Sequence, residues 1–448
     1  MSRFSCPATA VAGVVALQAL VSGAAAGGFA LEQQNARALG AAFAGAQARR
    51  TDPGFAVYNP ASIAGVLGPD LSVNATGVWS ITSYENAQGT LFGVAPISGA
   101  ADGEDFDGDA VIPNFSIAAP LNDRIAIGLL VHAPFGLSTN FGPSSVIRYQ
   151  AQKSEALSIA VSPTVAIALT DDLSIAGSVR IQYFDLSVTA IVDAGGVAAA
   201  NSIPGFLPGS SDLPASFNGN DVAVGFTAGF MAALGQRVVI GGSYASKISH
   251  DIEGDAVFDL AASGAAQVLN VAAGLFAPTT FVSDFTTPAI AGLGVEISAT
   301  ERFTLLASTT YSRWSAFETV SLIFANPAQP PEILTQNWDD SWSLSVGGEY
   351  AAARETTLRA GFMFDDTPVN DAFASPRIPD SDRYWASVGA TQNFSERLSA
   401  DVGVAVAFFA DRPIALSGAE PDALIRGSLA ADLETTAFAG SLRVRYKF

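Results

Sequence analysis

The sequence predicts an all-β fold: a transmembrane antiparallel β-barrel of about 14 strands with an N-terminal plug. Mean hydropathy is +0.33 and 14% of the residues are charged, a more apolar composition than that of a typical soluble protein. Beyond the N-terminus no run reaches the roughly 20 apolar residues that a membrane helix requires. Apolar residues are instead dispersed at every second position, as in strands with one lipid-facing side.

Residues 1–26 have the features of a secretory signal peptide. Arg3 supplies a positive charge, residues 8–21 form an apolar stretch too short to span a membrane, and residues 22–26 are small, as a signal peptidase requires. The single cysteine, Cys6, lies in this segment. We therefore expect a mature chain without disulfides or thiolate metal sites.

Residues 27–68 lack the alternation of strands. Residues 36–47 are compatible with a short helix, and Pro53-Gly54 and Asn59-Pro60 are turn signals. This composition predicts a small polar plug or an N-terminal arm.

Residues 69–448 are predicted to form the barrel wall. Strand-like segments are joined in pairs by very short polar turns, such as residues 121–124 and 170–172, and long Gly-, Pro- and Asp-rich stretches such as residues 190–220 separate the pairs. This rhythm is typical of outer-membrane barrels, which have short periplasmic turns and long outer loops. The predicted strands are 70–82, 112–120, 124–134, 155–169, 173–190, 221–234, 237–250, 286–299, 302–316, 340–352, 355–366, 382–394, 397–410 and 435–448.

The last predicted strand shows the alternation clearly. Its apolar row includes Phe438, Leu442 and Phe448, and the row between them includes Arg443 and Lys447. In a barrel, the first row would face lipid and the second the wet interior. A C-terminal Phe448 is typical of the final strand of bacterial outer-membrane barrels, so we expect the barrel-assembly machinery to bind there. The alternative is an amphipathic edge strand of a soluble sandwich.

The composition argues against nucleic-acid and enzymatic functions. The formal net charge is −20, whereas phosphate binding requires clustered Lys and Arg. The sequence has two histidines and no nucleophile elbow, phosphate loop, dinucleotide fingerprint or zinc-protease motif, so we expect no cofactor and no metal. A lipid hydrolase using His132 with Ser138, or His250 with Ser249, is the enzymatic alternative. The acidic run 102–109 is interpreted as a solvated outer loop, with weak divalent-cation binding as its alternative.

Two arginines are placed by alternation to face the lumen. Arg359 alternates with apolar residues of one predicted strand, and Arg383 with those of the next. Arginine binds carboxylates strongly in a partly dry site, so both are candidates for an anionic head group. The alternative is that they pair with lumen acids such as Asp365 and Asp401.

Several stretches share their pattern with one protein family. Residues 364–369 and 378–385 match its late-strand signature, residues 313–317 its Trp-Ser-x-Phe motif, residues 134–139 its third-strand exit, and residues 59–61 its N-terminal motif. These motifs occur in the same order over nearly the whole mature chain. The chain thus resembles the FadL/OmpP1/TodX family of outer-membrane transporters of long-chain fatty acids and other hydrophobic compounds.

The resemblance implies a barrel of fourteen strands plugged by a hatch formed by residues 27–68, with Asn59, Pro60 and Ala61 in the hatch core. It also implies passive uptake, in which a ligand held in an internal pocket leaves laterally through the wall once the hatch rearranges.

The lateral exit is expected at an inward kink of the third strand, at Pro134, Phe135 and Gly136. Proline lacks the N–H that a strand ladder uses, and glycine tolerates unusual backbone angles.

The resemblance also bears on the ligand, the environment and the partners. Arg359 and Arg383 fall on arginine positions of the family pattern, which favours a long-chain fatty acid. Asp185 stands near a position where some fatty-acid members carry arginine, which leaves room for an aliphatic or aromatic hydrocarbon; a general diffusion porin is the other alternative. We expect a monomer in the bacterial outer membrane, in contact with its lipid and with lipopolysaccharide.

Overall fold

The computed structural model describes residues 28–418 and 425–448, and the predicted signal peptide, residues 1–26, lies outside them. The described chain forms a closed antiparallel barrel of 14 wall strands, as predicted. Three wall strands are interrupted, as β6/β7, β11/β12 and β13/β14, and β2, β3, β4, β16, β17 and β22 are short additional strands. The strands are β1 Asp70–Gln88, β2 Thr90–Leu91, β3 Ala95–Pro96, β4 Gly103–Glu104, β5 Ala110–Pro120, β6 Ile125–His132, β7 Gly136–Asn140, β8 Lys153–Ala168, β9 Leu173–Asp193, β10 Asp212–Leu234, β11 Val238–Ala245, β12 Ile248–Phe258, β13 Thr279–Thr287, β14 Ala289–Ser298, β15 Phe303–Arg313, β16 Thr319–Phe324, β17 Glu332–Thr335, β18 Ser341–Ala351, β19 Thr356–Asp365, β20 Arg383–Asn393, β21 Leu398–Phe409, β22 Arg412–Leu416 and β23 Leu429–Lys447.

The barrel closes between its first and last strands. β1 pairs antiparallel with β23, from Asp70 opposite Lys447 onward. Along β23, Leu442 is 58% exposed while its neighbour Arg443 is 1% exposed. Because side chains alternate between the two faces of a strand, an apolar row faces outwards and a polar row faces the lumen.

Several strands extend further outwards than predicted. β10 begins at Asp212 rather than near residue 221, and β9 continues to Asp193. The extra part of β10 contains Pro214 and Asn218, residues that disfavour strands in a sequence-based prediction. They nevertheless pair with β9, so the wall continues beyond the segment with apolar alternation.

Residues 28–68 lie inside the barrel as short turns. The predicted helix over residues 36–47 is wrong beyond Leu39, because Ala42 and Phe43 have φ angles of 48° and 62°, which end a right-handed helix. The helical elements are α1 Ala36–Leu39 and 3₁₀ turns at Ala46–Ala48, Pro53–Phe55 and Pro60–Ile63.

Glycines in the wall let the hatch backbone approach it closely. A Cβ atom at Gly361 would lie 2.0 Å from the carbonyl oxygen of Ala41, and one at Gly241 would lie 1.9 Å from that of Gln47. Any larger residue would force the hatch away from these strands.

The outer loops carry the remaining helices. A large cluster of buried apolar side chains lies between these loops and the hatch and includes Phe29, Phe285 and Trp314. Within the described ranges, no helix has both the length and the apolar character needed to cross a membrane. The helical elements are α2 Ala194–Ala200, α3 Gly264–Ala273 and 3₁₀ turns at Val146–Tyr149, Leu260–Ala262, Trp314–Ala316 and Asp371–Phe373.

Candidate ligand-binding site

A pocket with a mainly apolar lining, which we call the apolar pocket, lies between the hatch and the outer loops. Phe184, Leu186 and Val188, alternate residues of β9, all face it, and Phe29 of the hatch borders it from the other side. Removing apolar surface from water stabilises a bound ligand by roughly 25 cal/mol per Å². The other apolar residues of the lining include Leu137, Phe217, Ile252, Phe285, Phe317, Val320, Leu322, Leu334 and Ile378.

Two arginines also line the apolar pocket. Arg377, in the loop between β19 and β20, donates a hydrogen bond to the Ser154 hydroxyl at 3.2 Å, and no carboxylate of the described residues lies within 4.0 Å of it. Arg426 pairs with Glu332 at 2.6 Å. Burial, together with the neighbouring Arg426, lowers the pKa of Arg377 to about 10, so Arg377 remains a cation at neutral pH.

The hatch consists of two parts with different contacts: residues 28–34, which we call the strap, and residues 35–68, which we call the hatch base. Ala30 of the strap faces Phe135 of the wall in an antiparallel β-bridge. The strap therefore pairs with the wall like an additional short strand. Its hydrogen bonds run from Leu31 N to Pro134 O (2.9 Å), from Gly136 N to Phe29 O (3.0 Å) and from Gln34 Nε2 to Ala133 O (2.5 Å).

The third wall strand is interrupted where the strap contacts it. β6 ends at His132 and β7 begins at Gly136, with Pro134 and Phe135 between them. The pairing of β5 with β6 ends where Asn114 faces His132, while β7 pairs with β8. The strap thus satisfies backbone groups of this interruption, which we call the kink.

Asn59, Pro60 and Ala61 lie in the hatch core. The fully buried Asn59 accepts a hydrogen bond from Ala61 N at 3.0 Å, and Pro60 begins the 3₁₀ turn. The Asn59 amide donates to Gln47 O at 2.7 Å and to Phe230 O of β10 at 2.9 Å. One side chain therefore joins two segments of the hatch base to the wall.

Arg383 is buried among carboxylates. Its guanidinium lies 3.3 Å from Asp365 and 3.1 Å from Asp380. Asp380 also accepts hydrogen bonds from Gly28 N at 3.0 Å and from the Thr367 hydroxyl at 2.6 Å. Arg383 thus positions the carboxylate that holds the start of the strap.

Arg359 belongs to an ion-pair network between the wall and the hatch base. Glu349 of β18 contacts Arg359 at 3.2 Å, Arg37 at 3.0 Å and Arg49 at 2.9 Å. Arg359 also lies 3.6 Å from Asp401. Because Arg37 and Arg49 belong to the hatch, the network fastens the hatch base to the wall.

Alternation placed Arg359 and Arg383 in the lumen, but neither lines the apolar pocket. The arginines that do, Arg377 and Arg426, lie outside the strands, where alternation gives no direction. The sequence feature that could have marked Arg377 as a site residue is its position directly before the Ile-Pro-Asp motif. Asp185 is likewise absent from the pocket lining.

His250, one of the two histidines considered for hydrolysis, has other neighbours. His250 Nδ1 lies 2.9 Å from Asp221, and its Nε2 lies 3.2 Å from the Gln182 amide nitrogen. Ser249 points away, towards Thr286 at 3.0 Å. In the part of the chain that the structure covers, no three His, Cys, Asp or Glu residues are grouped to hold a metal ion.

Comparisons with known proteins agree with this architecture. A family model for outer membrane protein transport proteins (OMPP1/FadL/TodX) matches residues 17–448. The long-chain fatty acid transport protein of Salmonella typhi is 25% identical over 389 residues, which cover 84% of this chain and 86% of that protein. The crystal structure of a Pseudomonas aeruginosa FadL homologue superposes with a TM-score of 0.85 at 25% identity and covers 94% of this chain and 100% of its own. The Pseudomonas putida toluene transporter TodX, at 16% identity, shares the fold, with a TM-score of 0.67 and coverage of 94% and 100%. The chain therefore belongs to the OmpP1/FadL/TodX family, bacterial outer-membrane β-barrels that transport hydrophobic compounds.

Proposed function

We propose that this protein takes up long-chain fatty acids passively, with the hydrocarbon chain in the apolar pocket and the carboxylate at Arg377 and Arg426. The observation that carries the proposal is an apolar lining that includes a cation, Arg377, with no carboxylate of the described residues within 4.0 Å; Glu332, which also lines the pocket, is paired with Arg426. A fatty acid buries apolar surface and supplies the missing anion. A water-filled pore provides no such affinity, which disfavours a general diffusion porin.

We propose that the ligand leaves through the wall at the kink once the strap moves. Phe29 borders the apolar pocket while the next residues of the strap pair with Pro134 and Phe135, so one displacement changes both the pocket and the kink. Pro134 lacks a ladder N–H, which favours an interruption of the wall at this point. Lateral release would deliver a hydrophobic molecule into the membrane without exposing it to the periplasm.

Oleate binding to the purified protein tests the head-group assignment. Arg377→Gln should weaken binding about tenfold or more, because hydrogen bonds to charged groups contribute about 1.5–3 kcal/mol. Arg354→Gln, in the exposed turn between β18 and β19, is the matched control and should leave the affinity unchanged. An undiminished affinity in Arg377→Gln, with a loss in Arg383→Gln or Arg359→Gln, would instead support the residues predicted from the sequence.

A neutral hydrocarbon is the second candidate ligand. The observation that favours it is the aromatic lining contributed by Phe29, Phe184, Phe285 and Phe317. A neutral ligand gains no ion pair from Arg377, so its affinity should be the same in Arg377→Gln. Mass spectrometry of compounds that co-purify in detergent distinguishes the two ligands directly.

We also propose that the mature protein consists of the hatch (residues 27–68) and the wall (residues 69–448) after removal of residues 1–26. The proposal includes a monomer without catalytic activity, surrounded by outer-membrane lipid and lipopolysaccharide. Phe448 is 62% exposed at the chain end, which suits recognition by the barrel-assembly machinery. Native mass spectrometry tests the monomer, and deletion of Phe448 should slow assembly.

A further inference from the structure

A second cavity, which we call the hydroxyl chamber, lies between the hatch and the wall. Leu31 and Phe135 border it, whereas their neighbours Phe29 and Leu137 border the apolar pocket. The strap and the kink therefore form the partition between the two cavities. Serine and threonine hydroxyls from several wall strands line the chamber, among them Ser162, Ser178 and Ser243.

Arg180 of β9 lines the hydroxyl chamber and is 5% exposed. It donates a hydrogen bond to the carbonyl oxygen of Ser246 at 2.7 Å, while its Nε has no hydrogen-bond partner among the described residues. No Asp or Glu of the described ranges lies within 4.0 Å of its guanidinium. Two acidic residues, Glu32 and Asp365, also border the chamber, but neither lies within 4.0 Å of Arg180, and Asp365 is paired with Arg383.

Arg180 differs from the other fully buried arginines of the described chain; Arg377, which also has no carboxylate within 4.0 Å, is only partly buried. Each of the other fully buried arginines forms an ion pair with Asp or Glu, as expected because burial of an uncompensated charge is unfavourable. An unpaired guanidinium at the wall of a cavity is therefore placed to receive an anion from that cavity. The paired arginines are Arg49, Arg148, Arg359, Arg383 and Arg443.

We propose that Arg180 binds the carboxylate of an amphipathic acid in the hydroxyl chamber, as a second station on the route from the apolar pocket to the exit at the kink. This inference rests on the proposed function, because it takes the same class of ligand one step further along its route. The guanidinium would hold the carboxylate, and wall hydroxyls would donate further hydrogen bonds to it. Leu31, Leu130 and Pro134 of the lining would contact the hydrocarbon chain.

The position of the hydroxyl chamber suits a ligand on its way out. Pro134 and Phe135 of the kink border the chamber directly. A head group at Arg180 would allow the hydrocarbon chain to enter the lipid first, while the charged end stays in polar surroundings. This order avoids exposing the carboxylate to apolar surroundings before the chain is in the membrane.

The experiment counts bound carboxylates by ¹³C NMR, with [1-¹³C]dodecanoate added to the purified full-length protein. We expect two bound carboxyl resonances. Arg180→Gln should remove one and Arg377→Gln the other, whereas Arg302→Gln, in an exposed turn, should remove neither. Heat-modifiable migration on gels shows that each variant is a folded barrel. If Arg180→Gln does not assemble, Arg180→Lys keeps the charge and should retain a second resonance at a shifted position.

The possible outcomes separate this inference from the proposed function. Two unchanged resonances in folded Arg180→Gln would overturn the inference. A single resonance that only Arg377→Gln removes would also overturn the inference, but it would leave the proposed function intact. A resonance that only Arg180→Gln removes would support the chamber and overturn the head-group site at Arg377. No bound carboxylate at all would overturn both.

Discussion

The strap and the hatch base belong to one continuous plug but are held by different interactions. Glu349 of the wall binds two arginines of the base, and Asn59 fastens the base to β10 through the carbonyl oxygen of Phe230. The strap is held by hydrogen bonds to the kink, by the contact of Gly28 with Asp380 and by the packing of Phe29 against aromatic rings such as that of Trp314, and no ion pair of its side chains lies within 4.0 Å among the described residues.

This difference bears on which part of the hatch separates more easily from the wall. A hydrogen bond contributes about 0.5–1.5 kcal/mol net, whereas breaking a buried ion pair by removing one partner costs about 3–5 kcal/mol. We therefore propose that seven residues, 28–34, separate from the wall while residues 35–68 remain in place. Moving the strap is sufficient to change both the apolar pocket and the kink, because it borders both.

The largest expected effect comes from locking the strap to the kink. Ala30 and Phe135 form a non-hydrogen-bonded pair, because the hydrogen bonds between the strap and the kink come from the residues on either side of them. The Cα atoms of such a pair are about 4.5 Å apart, which is within the range of a disulfide. With Ala30→Cys and Phe135→Cys, oxidation should reduce cellular oleate uptake about tenfold or more, because the strap can no longer leave the kink.

Reduction of the same cells with dithiothreitol is the control and should restore uptake. The single natural cysteine, Cys6, is predicted to leave with the signal peptide and so should not compete. Equal uptake by oxidised and reduced cells would mean that the strap need not separate from the kink.

Loosening the base should change uptake less than locking the strap, and its effect is detected by hydrogen exchange. Glu349→Gln removes the carboxylate that pairs with Arg37, Arg49 and Arg359. The packing of the base on the wall should therefore be destabilised by about 3 kcal/mol. Hydrogen exchange measured by mass spectrometry should then accelerate on the order of a hundredfold in residues 36–48.

Glu355→Gln, an exposed acid in the turn before β19, is the matched control and should leave exchange unchanged. Faster exchange confined to residues 28–34, with the base unaffected, would reverse the roles assigned to the two parts of the hatch.

The wall could be predicted from the sequence because alternation is a local property. Leu358 and Phe362 face outwards and Arg359 faces the lumen, as their positions on one strand require. The partner of Arg383 on the neighbouring strand, Asp365, could also be anticipated, since the two residues are directly opposite each other in the β19–β20 ladder. Local pattern and strand pairing therefore account for the barrel and part of its lumen chemistry.

The cations of the apolar pocket and the pairing of the strap could not be predicted. Arg377 is positioned by loop contacts, one of them from the Thr139 hydroxyl to the carbonyl oxygen of Arg377 at 3.2 Å. The bond between Gly28 and Asp380 joins residues 352 positions apart. Such contacts depend on how the outer loops fold over the barrel, and neither the hydropathy nor the periodicity of the sequence predicts how these loops fold.

The smallest effect is expected from weakening the strap without displacing it. Gln34 donates hydrogen bonds to Leu31 O at 3.0 Å and to Ala133 O at 2.5 Å, so it ties the strap to the kink through its side chain. Gln34→Ala should destabilise the closed strap by about 1 kcal/mol, or about fivefold in its opening equilibrium. The amides of Phe29 and Leu31 should exchange faster by that factor, and oleate uptake should rise rather than fall. Gln47→Ala removes a side chain of the base, which contacts Ser308, and should leave strap exchange unchanged. A fall in uptake in a folded Gln34→Ala barrel would indicate that the closed strap aids binding more than it retards release.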